Sequence, residues 1–309
     1  MAVLKDTKFL WLINILLFLT FDLMLLGAGV RTMDAGLTCP DWPLCFGKAI
    51  PQYHFGVYLE FIHRAIAGLV SIFYLLLMIK VFSDPVKKPF RFLSLVGLFL
   101  LFSQVIMGGL TVLKLLDSVI VTFHLSLATA FLSTLLLMKL KWKGLARKQE
   151  WPELKPSVKS LWPKSFQWTL LLSLFFVCLQ IVLGGLVAST YSGLICVDFP
   201  TCNGLLFPPM VGPVAVQMLH RFGAYWLTVL LLSLFVMATM AWQRIGLSRL
   251  QRVTAIQIFL LVCVQVFIGI MNLKFLIPPW LSVAHLAVAL LILMNLLKLT
   301  YPLIHKTEA

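Results

Sequence analysis

The sequence predicts an all-α membrane protein of eight transmembrane helices. They form two parallel-repeat four-helix bundles, with both termini cytoplasmic. Three observations predict this: an apolar composition, a lopsided placement of Lys and Arg, and an internal duplication. Hydrophobic residues make up 61% of the 309 and charged residues 12%, against roughly 45–50% and 25% in soluble domains. Stretches of about 20 apolar residues, the length that crosses a hydrocarbon core, lie at 9–29, 57–79, 92–113, 118–138, 168–189, 214–241, 253–273 and 281–299. A lipid-embedded barrel would instead show short alternating strands, so these spans read as helices. The first span is too long for a signal-peptide core and no small-residue cleavage site follows it, so it reads as a retained helix.

The net charge of +14 raises the question of a nucleic-acid partner, and its distribution answers it. Lys5 and Lys8 precede the first span; Lys80, Lys87, Lys88 and Arg91 bracket the next connection but one. Eight Lys/Arg lie between Lys139 and Lys164, three more are Arg244, Arg249 and Arg252, and Lys298 and Lys306 close the chain. That places 19 cations on one side, against Arg31, Lys48, Lys114 and Lys274 on the other. Such asymmetry is the positive-inside signal of a multi-pass protein with cytoplasmic termini. The basicity sets topology, and no nucleic-acid partner is expected.

The duplication is direct. Cys39-Pro-Asp41-Trp42-Pro43-Leu-Cys45-Phe-Gly47 recurs as Cys196-Val-Asp198-Phe199-Pro200-Thr-Cys202-Asn-Gly204, at an offset of 157. The same offset carries Gly27 to Gly184, Pro51 to Pro208 and His63-Arg64 to His220-Arg221. Later the offset becomes 161, relating Gln104 to Gln265, Gly108 to Gly269 and His124 to His285. An even number of spans per copy gives both copies one orientation, a parallel repeat about an axis along the membrane normal. Residues 1–140 form the first half and 168–309 the second. The Pro- and Lys-rich stretch 141–167 reads as a cytoplasmic linker.

Four histidines lie inside spans: His63, His124, His220 and His285. Each sits five or six residues inside the outer boundary, ~9 Å deep at the helical rise. A lone intramembrane His is commonly a satisfied polar residue. Two repeat-related pairs at one depth are a different matter, because imidazoles in lipid need a partner. Facing imidazoles in a helix bundle suit the two axial positions of a haem iron. Tetrahedral zinc would need further ligands that neither half supplies. Arg64 and Arg221 follow the first His of each pair, where a guanidinium either pairs with haem propionates or snorkels to the interface. Gly108-Gly109, Gly184-Gly185 and Gly269 either admit a flat macrocycle or allow close helix packing.

The pairs Cys39/Cys45 and Cys196/Cys202 lie in outer loops, where an oxidising compartment favours disulfides. A structural staple and a redox-active pair are both open readings. Cys178 and Cys263, within spans, read as inert packing residues. One position separates the halves: Glu60, three residues before His63, is matched by Gln217. A carboxylate inside the membrane is a functional candidate by default. Its absence from the second half suggests that one site performs chemistry and the other stores or passes electrons. Asp22 in the first span has no acidic counterpart and receives no role.

Taken together, Glu60-x-x-His63-Arg64, His220-Arg221, the single His124 and His285, the paired loop cysteines and the duplication resemble the haem A synthase family along essentially the whole chain. The resemblance implies oxidation of the C8 methyl group of haem O to a formyl group by successive hydroxylations, giving haem A for terminal oxidases. It implies a haem b cofactor in the second half on His220 and His285. It makes His63 and His124 the ligands of the substrate iron and Glu60 the catalytic acid. Implied partners are haem O synthase, terminal oxidase assembly and a membrane electron donor, with room for a homo-oligomer. The paired-cysteine loops resemble the bacterial branch, whose place is the cell membrane. A diheme b-type electron carrier is the nearest rival reading, but it leaves the one-sided carboxylate unexplained. A transporter would favour sites nearer the midplane, and a thiol oxidase would leave the histidines idle.

Overall fold

The computed structural model describes residues 6–150 and 162–304. Lys5, the linker centre with Lys155, Pro156 and Lys159, and the tail with His305 and Lys306 lie outside the described residues. Among the described residues the fold is all-helical, with two isolated backbone bridges and no strand. The helices are α1 (Thr7–Thr32), α2 (Phe55–Ser83), α3 (Arg91–Leu113), α4 (Ser118–Glu150), α5 (Lys164–Ser189), α6 (Gly212–Met240), α7 (Trp242–Ile245), α8 (Arg249–Lys274) and α9 (Pro279–Ile304). Eight of them are long and apolar enough to cross a bilayer, and α7 is a single turn. The protein is a multi-pass membrane protein.

The helix ends follow the duplication closely. Residues Thr7–Thr32 and Phe55–Ser83 match Lys164–Ser189 and Gly212–Met240 at a displacement of 157 (Thr7 to Lys164, Ser83 to Met240). Beyond the α6–α8 connection, which contains the extra turn α7, Leu113 matches Lys274 and Ser118 matches Pro279 at 161. Of the stretch read as linker, its first ten residues continue α4 to Glu150 and its last four belong to α5. Helix-forming Lys, Leu, Ala, Arg and Gln carry α4 past the apolar span, and Pro163 stands at the N-cap of α5.

The chain divides into two compact units, Met1–Leu154 and Lys155–Ala309. In the first, α1 packs on α2 and α4, and α3 packs on α4 and α2; in the second, α5 packs on α6 and α9, and α8 packs on α9 and α6. Each unit is therefore a closed ring of four helices. One end of the first ring is fixed by charge as well as packing. Asp6 caps α1 by accepting from the Phe9 amide at 2.9 Å, and it pairs with Lys87 at 2.8 Å and Lys80 at 3.3 Å. Burial would raise the Asp6 carboxyl, but the hydrogen bonds from Lys87, the Phe9 amide and Lys80 hold it at about 2. Phe9, Phe90 and Trp142 pack ring to ring beside it.

Candidate functional site

The α1–α2 and α5–α6 connections fold into the same cradle. Cys39–Cys45 and Cys196–Cys202 are disulfides, with Cα atoms 4.8 and 4.7 Å apart. Inside each loop an aspartate gathers two successive backbone amides. Asp41 accepts from Phe46 N at 2.6 Å and Gly47 N at 2.7 Å; Asp198 accepts from Asn203 N at 2.8 Å and Gly204 N at 2.9 Å. The two neighbouring amides come from consecutive left-handed residues, Phe46 and Gly47 or Asn203 and Gly204. Glycine takes the second of these positions without steric cost. The Gly47 amide, with Phe46, holds the Asp41 carboxyl below the usual range. Asp198 is lowered further, first by the Thr201 hydroxyl and then by the Gly204 amide.

An arginine from the following helix closes each cradle. Arg64 Nη1 donates to the carbonyls of Asp41 (2.7 Å) and Leu44 (2.5 Å), and Nη2 donates to Cys39 O (3.3 Å) and Glu60 Oε1 (2.6 Å). Arg221 Nη1 donates to Asp198 O (2.8 Å) and Thr201 O (2.6 Å), and Nη2 donates to Cys196 O (2.5 Å). Within the protein, both guanidiniums are thus engaged by the loops. Four of the five guanidinium hydrogens of Arg64 meet loop carbonyls and Glu60. Arg221 is held by the same loop carbonyls. The arginines hold the loops to the helices.

The four span histidines are built alike. Each imidazole lies edge-on against a glycine of a neighbouring helix: His63 on Gly27, His124 on Gly108, His220 on Gly184 and His285 on Gly269. A Cβ on these glycines would stand 2.9, 3.4, 3.2 and 3.2 Å from the imidazole Cε1, respectively. The glycines therefore make room for the imidazoles themselves, a use the two sequence-level readings did not include. Among the described residues, the buried Nδ1 atoms of His63, His124 and His285 have no hydrogen-bond partner. In the second unit the rings of His220 and His285 have centroids 6.5 Å apart. Metal–imidazole bonds of about 2 Å on opposite sides of one metal would put ring centroids about 6 Å apart. The pair therefore fits the axial positions of a haem iron, and His63 and His124 supply the same donor set in the first unit.

Glu60 is 4% exposed and is held on both oxygens. Oε1 pairs with Arg64 at 2.6 Å, while Oε2 accepts from Cys39 N at 2.9 Å and Thr38 Oγ1 at 3.0 Å. Its counterpart Gln217, 5% exposed, donates to Gly193 O at 3.3 Å and leaves its own Oε1 without a partner. The first cradle thus contains an ion pair, and the second has a neutral amide at the matching position.

The model of a cytochrome oxidase assembly protein family, COX15-CtaA, matches residues 10–297. The chain belongs to the COX15-CtaA family. A protein of Shewanella oneidensis named heme A synthase is 31% identical, covering 97% of this chain and 98% of its own. A heme A synthase of Neorickettsia sennetsu is 27% identical over 92% of this chain and 95% of its own. One of Symbiobacterium thermophilum is 29% identical over 73% and 74%.

Two features of this COX15-CtaA chain escape motif reading. Gln104 donates to His124 O at 2.7 Å, and Gln180 donates to His220 O at 2.7 Å while touching its Nδ1 at 2.9 Å. Each glutamine stands four residues before the glycine that receives the imidazole, and Gln265 stands so before Gly269. This Gln-x-x-x-Gly spacing was a readable signal; Leu23 before Gly27 is the one departure. Cys178 and Cys263 are free and exposed.

Proposed function

We propose that this chain is a haem A synthase of a bacterial cell membrane, oxidising the C8 methyl group of haem O to a formyl group by successive hydroxylations. The observation that carries this reading is a pair of like-built histidine sites of which only one has a carboxylate. A buried carboxylate beside one site supplies acid–base chemistry, which passing electrons between two haems does not require. Membership of the COX15-CtaA family and the full-length likeness to proteins named heme A synthase support the same conclusion.

In this reading the first half takes the substrate, with His63 and His124 on the iron of haem O. His220 and His285 hold a resident haem b, which supplies one-electron transfer. Glu60 is the catalytic acid–base of the first half. It accepts from three donors, and of these the charged Arg64 is the partner whose bond weakens when the carboxylate takes up a proton. The disulfide loops, fastened by Arg64 and Arg221, hold the outer ends of α2 and α6 rigid and so keep His63 and His220 in register with their glycines. Haem O synthase supplies the substrate, terminal oxidase assembly consumes the product, and a membrane donor supplies electrons.

The direct test is expression in a host that makes haem O but lacks haem A, followed by chromatography of the extracted haems. Haem A should appear. Unchanged haem O alongside a haem-loaded protein would replace this reading with the diheme carrier.

A further inference from the structure

The Glu60/Gln217 exchange has an electrostatic result as well as a chemical one. In the first cradle the guanidinium of Arg64 is neutralised by Glu60 at 2.6 Å. In the second, Arg221 is only 5% exposed, and among the described residues no carboxylate lies within ion-pair distance of it. Its hydrogen-bond partners are three carbonyl dipoles, its Nε has none among the described residues, and the neutral Gln217 stands at the chain position that Glu60 holds in the first half. Asp41 and Asp198 occupy matched places in the two loops, each holding two amides. They therefore cancel from the comparison. Next to His220 the second half carries one more buried positive charge than the first half carries next to His63.

We infer that Gln217 and Arg221 together set the reduction potential of the second site, making it the more oxidising of the two. This rests on the reading of His220 and His285 as haem ligands. Reducing an iron centre from ferric to ferrous adds one electron to the site. A buried, unneutralised cation beside it favours the reduced form, because charge interactions are strong where solvent is excluded. The neutral Glu60–Arg64 pair gives no such bias at the first site. The exchange thus sorts two otherwise similar pockets into one that accepts an electron readily and one that gives it up.

The test is a mediated spectroelectrochemical titration of the purified, haem-loaded protein at neutral pH, with dithionite and ferricyanide as reductant and oxidant. Gln217→Glu recreates the first-half pair beside Arg221 and should shift the midpoint of the resident haem downward, whereas the uncharged Gln217→Leu should leave it close to that of the parent. An unmoved or raised midpoint in Gln217→Glu overturns the inference. If Gln217→Glu fails to retain haem, Arg221→Lys and Arg221→Gln give the same comparison, since both disturb the cradle and only the second removes the charge. Arg221→Gln should lie lower, and equal midpoints overturn the inference. A parent protein whose haem spectrum does not depend on His220 or His285 sinks the ligand assignment instead, which separates the two failures.

Discussion

The two halves of this chain share most of their loop and histidine framework and part at one buried position, Glu60 against Gln217. Both have a disulfide-closed loop, an aspartate gathering two amides, an arginine gathering loop carbonyls, and imidazoles lying on glycines. The difference lies at one step of the cradle, where Glu60 gives the first half an ion pair and two further hydrogen bonds that Gln217 does not reproduce. In the proposed reading, a duplicated scaffold keeps its histidine geometry while a single acid-to-amide exchange divides the labour between the copies. The loop and its arginine are the conserved frame of the repeat, and the residue one turn before the arginine is the variable.

The strongest way to break this comparison is to make the halves alike. Glu60→Gln should leave the protein expressed and its haem b spectrum intact while haem A formation falls by two orders of magnitude or more. That is roughly the scale on which removal of a general acid–base acts. Extracted haems resolved by chromatography check it, and wild-type haem A yield from Glu60→Gln would remove the catalytic role. A smaller effect should follow from filling the imidazole cradles. Gly27→Ala puts a Cβ 2.9 Å from His63 Cε1, whereas Gly108→Ala puts one 3.4 Å from that of His124. At about 1–3 kcal/mol for overpacking, Gly27→Ala should weaken haem O binding roughly 5- to 150-fold, and Gly108→Ala much less. A spectral titration with haem O measures both, and the reverse order would contradict the packing account.

The smallest effect is on the loops and depends on pH. Both aspartates are held below their ordinary range by bonds made only in the folded loop, first the Gly47 amide for Asp41 and the Thr201 hydroxyl for Asp198. A depressed carboxyl adds stability above its unfolded value, near 4, and that stability is lost as the pH falls through the folded value. On acidification below about pH 4 the turn at Phe46 and Gly47 should therefore open before the turn at Asn203 and Gly204, since Leu44 stands where Thr201 adds its hydroxyl. Hydrogen exchange of those four amides reads the order directly.

Much of this was legible in the sequence, for physical reasons that differ by element. The spans were visible because lipid imposes a length and a composition, and the paired helix ends because the duplication preserves them. Helix α4 overran its apolar segment because residues beyond the bilayer form helix by their own propensity. The histidine pairs were visible because polar groups at one depth in four spans stand out against lipid. The loop contacts of Arg64 and Arg221 were not legible because their partners are backbone carbonyls of a loop whose path no residue type announces. Gln104 and Gln180 were passed over for a similar reason, since their bonds to His124 O and His220 O depend on how neighbouring helices meet.

The central claim is that the first half works on a haem and the second half keeps one. It is tested most directly by absorption spectra of the purified protein after replacing each histidine pair. His220→Ala with His285→Ala should abolish the resident low-spin b-type spectrum, while His63→Ala with His124→Ala should retain it and abolish haem A formation. A resident spectrum that survives the first double substitution and disappears in the second would contradict the account.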